Sequence, residues 1–225
     1  MSKNFWIVLV LVVGGLIGLF TLTGDKSSTI SDTKYADGNV LTVKDSDHKS
    51  GAGNKKVTII EYGDFQCPSC ARLFPIIEQA REEYKDEVTF VFRHFPITSI
   101  HPNAQAAARA AEAAGAQGKF FEMYQQLYST QADWSSASNA QSTFEGYAQK
   151  LKLDVAKFKT DFASEATNAR ITADLDSGKK IGVNGTPGIF INGKQQESPV
   201  DYAEFKRWID DAISKANPTP ATSPE

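Results

Sequence analysis

Residues 57–70 read VTIIEYGDFQCPSC, a strand-forming run that ends in a pair of cysteines. Val57–Tyr62 is rich in β-branched and apolar residues, which favours a β-strand. Alternate side chains of a strand share a face, so Glu61 lies on the same face as Val57 and Ile59. The run therefore predicts a core strand that leads directly into the cysteine pair.

Cys67 and Cys70 are the only cysteines of the chain, and they begin a segment with helical periodicity that extends to about Lys85. Pro68 suits the first helical turn, where its missing amide donor costs nothing. A Cys-x-x-Cys pair in a first turn can open and close a disulfide with little backbone movement, and the helix N-terminus favours the thiolate. The pair predicts thiol–disulfide exchange, with Cys67 as nucleophile and Cys70, one turn further in, as the resolving thiol.

Two other uses of the pair stay open at this stage. A zinc site would need two further ligands, and the three histidines, His48, His94 and His101, show no paired spacing. A structural disulfide that closes so short a loop would constrain the unfolded chain little. Redox chemistry is the favoured interpretation, and no metal site is expected.

Glu61 is an unusual residue for the end of a core strand. Burial raises the pKa of a carboxyl group, which would suit a proton carrier for Cys70. The alternative is a side chain that simply reaches water. Asp64 is expected to be a loop acid, and His94 and His101, which flank a proline-containing loop, are expected to be structural.

The composition is that of a globular protein, with 225 residues, 41% hydrophobic residues and a net charge of −3. No basic stripe is present in the sequence, so a nucleic-acid partner is not expected. No glycine motif of the phosphate-binding type is present either. The cysteine pair is therefore the sequence feature that best indicates the function.

Residues 5–24 form an uncharged apolar run of 20 residues, long enough at about 1.5 Å per residue to cross a hydrocarbon core of about 30 Å. No small-x-small cleavage site follows, so we expect an uncleaved signal-anchor helix, with a cleaved signal peptide as the alternative. Lys3 places the N-terminus in the cytoplasm. Because stable disulfides form outside the cytoplasm, the catalytic domain is expected on the outer face of the cell membrane, joined by a polar tether over residues 25–40.

Residues 41–216 are expected to form one domain, followed by a disordered tail at 217–225. A second strand, Val88–Arg93, follows the cysteine helix, and helical periodicity then dominates from about residue 102 to about 182. The segments expected to be helical in this insertion are 103–114, 119–128, 143–151, 154–162 and 164–180.

The last part of the domain carries a hairpin and a helix. Gly188–Ile191 predicts a short strand, and Asn192-Gly193 is a hairpin turn signal with Gln195–Ser198 as the partner strand. Asp201, with Glu204 three residues later, is typical of a helix N-terminus.

The order of these elements and three quoted motifs resemble the DsbA family of extracytoplasmic thiol–disulfide oxidoreductases, in particular its membrane-anchored, BdbD-like branch. The motifs are residues 61–70 (EYGDFQCPSC), 93–96 (RHFP) and 185–193 (GTPGIFING). The resemblance covers about residues 40–215. It implies an α/β thioredoxin fold with a helical insertion between the second strand and a strand that follows a cis-proline.

Several site residues follow from the resemblance. Cys67 attacks and Cys70 resolves, Glu61 lies beneath the pair, and the Thr186–Pro187 bond is cis, whereas sequence alone would favour trans. Substrate is expected to contact Thr186, Pro187, Pro68 and Ser69. The best-known member has a thiolate-stabilising His at the position of Ser69, so the oxidising strength stays open.

The expected function is an oxidase that introduces disulfides into exported proteins. The resemblance implies reoxidation by a membrane quinone reductase of the DsbB or vitamin K epoxide reductase (VKOR) type, and no cofactor beyond the Cys67–Cys70 disulfide. A monomer is expected. A reductase or isomerase uses the same residues and stays open, as does, from another class, a chaperone-like substrate-binding module.

Overall fold

The computed structural model describes residues 40–218. The expected membrane span at residues 5–24 lies outside this range, as do nearly all of the tether and most of the tail. Among residues 40–218, no helix is both long enough and apolar enough to cross a membrane.

The described chain forms a mixed α/β structure with a block of helices inserted between its third and fourth strands. In chain order the elements are β1 (His48–Ser50), β2 (Val57–Gly63), α1 (Pro68–Glu83), β3 (Val88–His94), α2 (Ala104–Gly115), α3 (Phe120–Ser129), α4 (Gln131–Trp134), α5 (Ala140–Lys150), α6 (Val155–Ala163), α7 (Glu165–Lys180), β4 (Gly188–Ile191), β5 (Lys194–Gln196) and α8 (Tyr202–Ala216).

The strands of the described residues form a five-stranded sheet in the order β1-β3-β2-β4-β5. β2 and β3 are parallel, and the other neighbours are antiparallel. β2 is therefore central, and Glu61 pairs with Phe92 on one side and with Ile189 on the other. This mixed sheet confirms the predicted thioredoxin-like α/β fold.

Helices cover both faces of the sheet, which explains why β2 and β3 are almost wholly buried. The face that carries Val57, Ile59 and Glu61 packs against α1 and α8 through buried residues such as Leu73, Ile77, Phe205 and Ile209. The opposite face carries Tyr62, which packs beside Gly178 of α7. The predicted sharing of a face by Val57, Ile59 and Glu61 agrees with this arrangement.

The hairpin turn after β4 lies at Asn192-Gly193 as predicted, but its partner strand begins one residue earlier than predicted. Asn192 and Gly193 both have positive φ angles, +47° and +79°, as a two-residue hairpin turn requires. The partner strand therefore starts directly at Lys194 and spans Lys194–Gln196, so the predicted partner Gln195–Ser198 was wrong at both ends.

Two short elements, β1 and α4, were not predicted. β1 pairs antiparallel with β3 at the sheet edge, and the segment before it is held by a buried ion pair between Arg93 and Asp47 at 2.8 Å. Arg93 also donates to the backbone oxygen of Val40. Val40, which we assigned to the tether, is thus anchored to the domain, and Asn217, assigned to the tail, ends α8 and donates to the Lys55 carbonyl.

Candidate active site

The cysteine pair lies at the N-terminus of α1, directly after the central strand β2. Cys67 is the N-cap residue, with an extended backbone, and Pro68 occupies the first helical turn. Cys70 is fully buried, whereas Cys67 retains 7% of its surface. Both are free thiols in this structure. Cys67 is therefore the more accessible sulfur of the two, although it is less exposed than its position at the helix start suggested.

The two thiols differ strongly in acidity. A hydrogen bond from the Cys70 thiol, helped by the backbone amides of Cys70 and Ser69, lowers the pKa of Cys67 to about 5 despite partial burial. Burial, the hydrogen bond to Cys67 and the charge of Glu61 together raise the pKa of Cys70 well above its usual value. At neutral pH, Cys67 is a thiolate and Cys70 a thiol, which is the division of roles that a nucleophile and a resolving cysteine need.

The loop before β4 lies against the nucleophile. The Thr186–Pro187 bond is cis, as the resemblance implied. Cys67 Sγ lies 3.4 Å from the carbonyl oxygen of Thr186, to which the thiol can donate. Thr186 and Pro187 are half-buried, and together with Ser69 they line a groove beside the pair. Three of the four predicted substrate-binding residues therefore line one groove, although Ser69 is separated from Thr186 and Pro187 by more than one hundred positions in the chain.

Glu61 lies in the core beneath the pair. Its side chain is buried, and this burial raises its pKa to about 7, partly offset by a hydrogen bond from Tyr124 and by the charge of Arg81. A carboxyl group with a pKa near neutrality can both release and accept a proton at working pH. The position and acidity of Glu61 suit the proton-carrier role expected of it.

A small cavity of about 10 Å³ lies beside Glu61 and is lined also by Arg81, Phe121 and Tyr124. This is about the volume that one water molecule requires. The Arg81 guanidinium lies 4.1 Å from the centre of the Phe121 ring and donates to Ser50 Oγ at 3.0 Å. Arg81 thus contributes a charged group to the lining of the cavity beside the Glu61 carboxyl.

Asp64 organises the loop between β2 and α1. It is buried, and its carboxylate accepts hydrogen bonds from the backbone amides of Gln66 and Ile97 and from His101 Nδ1, at 2.8, 2.9 and 2.7 Å. The expected loop acid is thus a buried anchor of the loop, and His101 is its structural partner.

Ser69 and Pro68 form the outer rim of the motif. Pro68 is exposed, and the Ser69 hydroxyl accepts a hydrogen bond from Arg72 Nη2 at 2.9 Å. The backbone amide of Ser69, rather than its hydroxyl, is the group that helps to lower the pKa of Cys67. The hydroxyl instead fixes the position of a positive charge above the motif.

One group among residues 40–218 has the chemistry of metal ligands, namely His48, His94 and Glu112. Both imidazole Nε2 atoms hydrogen-bond to the same oxygen, Glu112 Oε1, at 2.7 and 2.8 Å. Burial alone would raise the pKa of Glu112, but these hydrogen bonds hold it well below its usual range. A tetrahedral zinc ion would separate its ligand atoms by about 3.3 Å, so this geometry is that of a hydrogen-bonded cluster.

Comparison with known proteins identifies a family and several relatives that share this fold. Residues 44–211 match the family model described as Thioredoxin. Among curated proteins, the Na(+)/H(+) antiporter NhaA 1 of Salinispora arenicola is 35% identical over 170 residues, which are 76% of this chain and 25% of that protein. The antiporter NhaA 1 of Mycobacterium sp. strain KMS is 36% identical over 168 residues, 73% of this chain and 26% of that protein. The chain spans about a quarter of the length of these relatives, so the transport activity in their names is not assigned to it.

Solved structures share the architecture. BdbD from Bacillus subtilis superposes with a TM-score of 0.67 and 22% identity, over 75% of this chain and 94% of that one. Wolbachia pipientis alpha-DsbA1 gives a TM-score of 0.70 and 19% identity, over 79% and 96%. A thioredoxin-like oxidoreductase from Silicibacter pomeroyi gives 0.65 and 24%, over 78% and 97%. At these identities the likeness establishes the fold.

Proposed function

The chain belongs to the thioredoxin family, and we propose that it is a thiol–disulfide oxidoreductase of the DsbA type that works as an oxidase and introduces disulfide bonds into exported proteins. The observation that carries the proposed direction is the unequal acidity of its two thiols. The pKa of Cys67 is lowered to about 5 and that of Cys70 is raised.

The reaction begins with the Cys67–Cys70 disulfide. A substrate thiolate attacks Cys67 Sγ, the bond between the two enzyme sulfurs breaks, and Cys70 leaves as a thiolate. Glu61, protonated at its carboxyl, supplies the proton that converts Cys70 to the thiol. Because the pKa of Cys70 is raised, this proton transfer makes the first step favourable.

A second substrate thiolate then attacks the substrate sulfur of the mixed disulfide. The substrate disulfide forms, Cys67 leaves as a thiolate, and two electrons have moved from the substrate to the enzyme. A thiol of low pKa leaves faster, so the acidity of Cys67 favours this step. In the opposite direction Cys67 must attack a disulfide, and a thiolate of such low basicity is a weaker nucleophile.

The remaining parts of the proposal concern the cellular setting. Residues 5–24 would anchor the chain in the membrane with the domain on the outer face, and a DsbB- or VKOR-type quinone reductase would accept the two electrons. The wide groove beside Cys67 supports a polypeptide substrate, since an extended segment could pair with the backbone next to Thr186.

Single-turnover kinetics test the direction. The oxidised full-length protein is mixed with a peptide that carries two reduced cysteines, and the reduced protein with the same peptide in disulfide form. We expect the first reaction to be faster by at least about tenfold at pH 7. A faster second reaction would support the reductase or isomerase alternative, and labelling of Cys67 without turnover in either mixture would support a binding module.

A further inference from the structure

The groove beside the cysteine pair has a volume of about 770 Å³. One wall is the outer side of α1 from Ser69 to Ile76, the second is the loop 184–188 with the cis-proline, and the third is the segment 198–200. The groove therefore begins next to Cys67 and extends away from it along α1. A substrate segment whose cysteine reaches Cys67 would continue into this groove.

Arg72 is the only charged side chain among the residues that line the groove, all of which lie in the described part of the chain. It is exposed, and its hydrogen bond to Ser69 Oγ at 2.9 Å holds the guanidinium near the motif. Among residues 40–218, no carboxylate forms an ion pair with Arg72, whereas Arg81 and Arg93 each pair with one and Arg170 pairs with two. The positive charge in the groove is therefore free to meet a substrate.

The acidic residues that follow the third wall are engaged elsewhere. Asp201 accepts a hydrogen bond from the Glu204 amide at 2.8 Å, and Glu204 accepts one from the Val200 amide at 2.9 Å. These contacts cap α8. Among the residues that line the groove, the charge of Arg72 therefore lies beside the apolar surface of Leu73, Ile76 and the highly exposed Val200.

We propose that the groove selects extended substrate segments that carry an aspartate or glutamate close to the reacting cysteine, and that Arg72 is the residue that determines this preference. The inference rests on the proposed function, because it names the class of polypeptide that the same site accepts. The carboxylate would pair with the Arg72 guanidinium while the cysteine contacts Cys67.

Matched peptides test the preference. Three peptides with two reduced cysteines differ only at the positions that flank one cysteine, which hold Glu, Gln or Lys. Their oxidation by the full-length protein is followed at pH 7 in low salt and in 0.5 M NaCl. An exposed charge pair changes a rate by about two- to fivefold, so a Glu-to-Lys exchange should slow oxidation by about fivefold or more in low salt, and by less in high salt because of screening.

Two substitutions separate specificity from general effects. Arg72→Glu should reverse the order so that the Lys peptide reacts faster, and Arg72→Gln should make the three rates equal. A change in the reactivity of the Cys67 sulfur would alter all three rates together and leave their ratios unchanged. Arg207→Glu, the same change at an exposed position of α8 outside the groove lining, should keep the wild-type order.

The possible results are distinguishable. Equal rates for the three peptides with the wild-type protein, or an unchanged Glu-to-Lys ratio in Arg72→Glu, would overturn the inference and leave the oxidase function standing. Failure of the wild-type protein to oxidise any of the peptides would contradict the proposed function itself, and the inference with it.

Discussion

Tyr124 donates a hydrogen bond to Glu61 Oε2 at 3.2 Å, and this contact joins the helical insertion to the strand beneath the cysteine pair. Both side chains are buried. The bond stabilises the ionised carboxylate, so it limits the rise in the pKa of Glu61 that burial causes. Tyr124 is therefore a positioning residue, which acts on the cysteines through Glu61.

Replacing Tyr124 by Phe should raise the pKa of Glu61. A hydrogen bond to a charged group contributes about 1.5–3 kcal/mol, so the pKa should increase by about 1 or more above its value near 7. The measurement is the pH titration of the Glu61 carboxyl carbon by NMR. Tyr128→Phe is the matched control, because the Tyr128 hydroxyl is buried without a hydrogen-bond partner among residues 40–218. Equal titrations in the two variants would remove Tyr124 from this role.

Glu61→Gln should stabilise the protein at high pH and leave its stability at low pH almost unchanged. The pKa of Glu61 is raised from 4.5 to about 7, so the folded state binds more protons than the unfolded state between these values. Stability contributed by this group therefore falls as pH rises from 4.5 to about 7, by roughly 3 kcal/mol. Urea unfolding of the reduced variant should show a gain of this order at pH 8 and almost none at pH 4.

The exposed residue Glu197 provides the control, since Glu197→Gln should change stability little at either pH. A pH-independent effect of Glu61→Gln would mean that the carboxyl is not desolvated in solution.

The Glu61→Gln variant should also oxidise a test peptide more slowly, because Cys70 loses its proton donor. A wild-type rate across pH 5–8 would exclude Glu61 as the proton carrier.

Alkylation should identify Cys67 as the acidic thiol. Iodoacetamide labelling of the reduced protein should be half-maximal near pH 5 at Cys67, with Cys70 unlabelled. Cys70→Ala removes the donor of the strongest stabilising hydrogen bond to the Cys67 sulfur, so the pKa of Cys67 should rise by about 1–2. Preferential labelling of Cys70, or a midpoint near that of a free thiol at about 8.5, would contradict the assignment.

Two glycines should respond oppositely to substitution by alanine. A Cβ atom at Gly63, the last residue of β2, would lie 2.4 Å from the Phe92 ring, whereas one at Gly146 in α5 would meet no atom of the described residues within 4 Å. Gly63→Ala should therefore destabilise by about 1–3 kcal/mol through overpacking. Gly146→Ala should stabilise by about 0.5–1 kcal/mol, because glycine is a poor helix former. Urea midpoints that shift in the same direction would contradict this packing.

The sequence alone was sufficient to predict the helices and strands whose apolar residues recur with a strong period. The strands β2 and β3 and the helix α1 are continuous patterns with buried side chains, and the turn at Asn192-Gly193 has specific backbone requirements. The cis bond before Pro187 followed only from the family resemblance, because no local pattern distinguishes it from a trans bond.

Features that depend on distant contacts were not predicted. The strand His48–Ser50 has only three residues and forms because β3 offers a free edge. Tyr124 is an ordinary core aromatic in its own helix, and its partner Glu61 is 63 positions away. The sequence did not predict the burial of Asp64, because two of the three donors to its carboxylate belong to the distant residues 97 and 101.

The reduction potential of the Cys67–Cys70 couple tests the oxidase assignment most directly. The full-length protein is equilibrated at pH 7 with glutathione buffers of known potential, the thiols are trapped by alkylation, and the reduced fraction is counted by mass spectrometry. Stabilisation of the Cys67 thiolate favours the reduced form, so the potential should be more positive than about −180 mV. A value near about −270 mV, as for thioredoxin, would mean that the protein is a reductase.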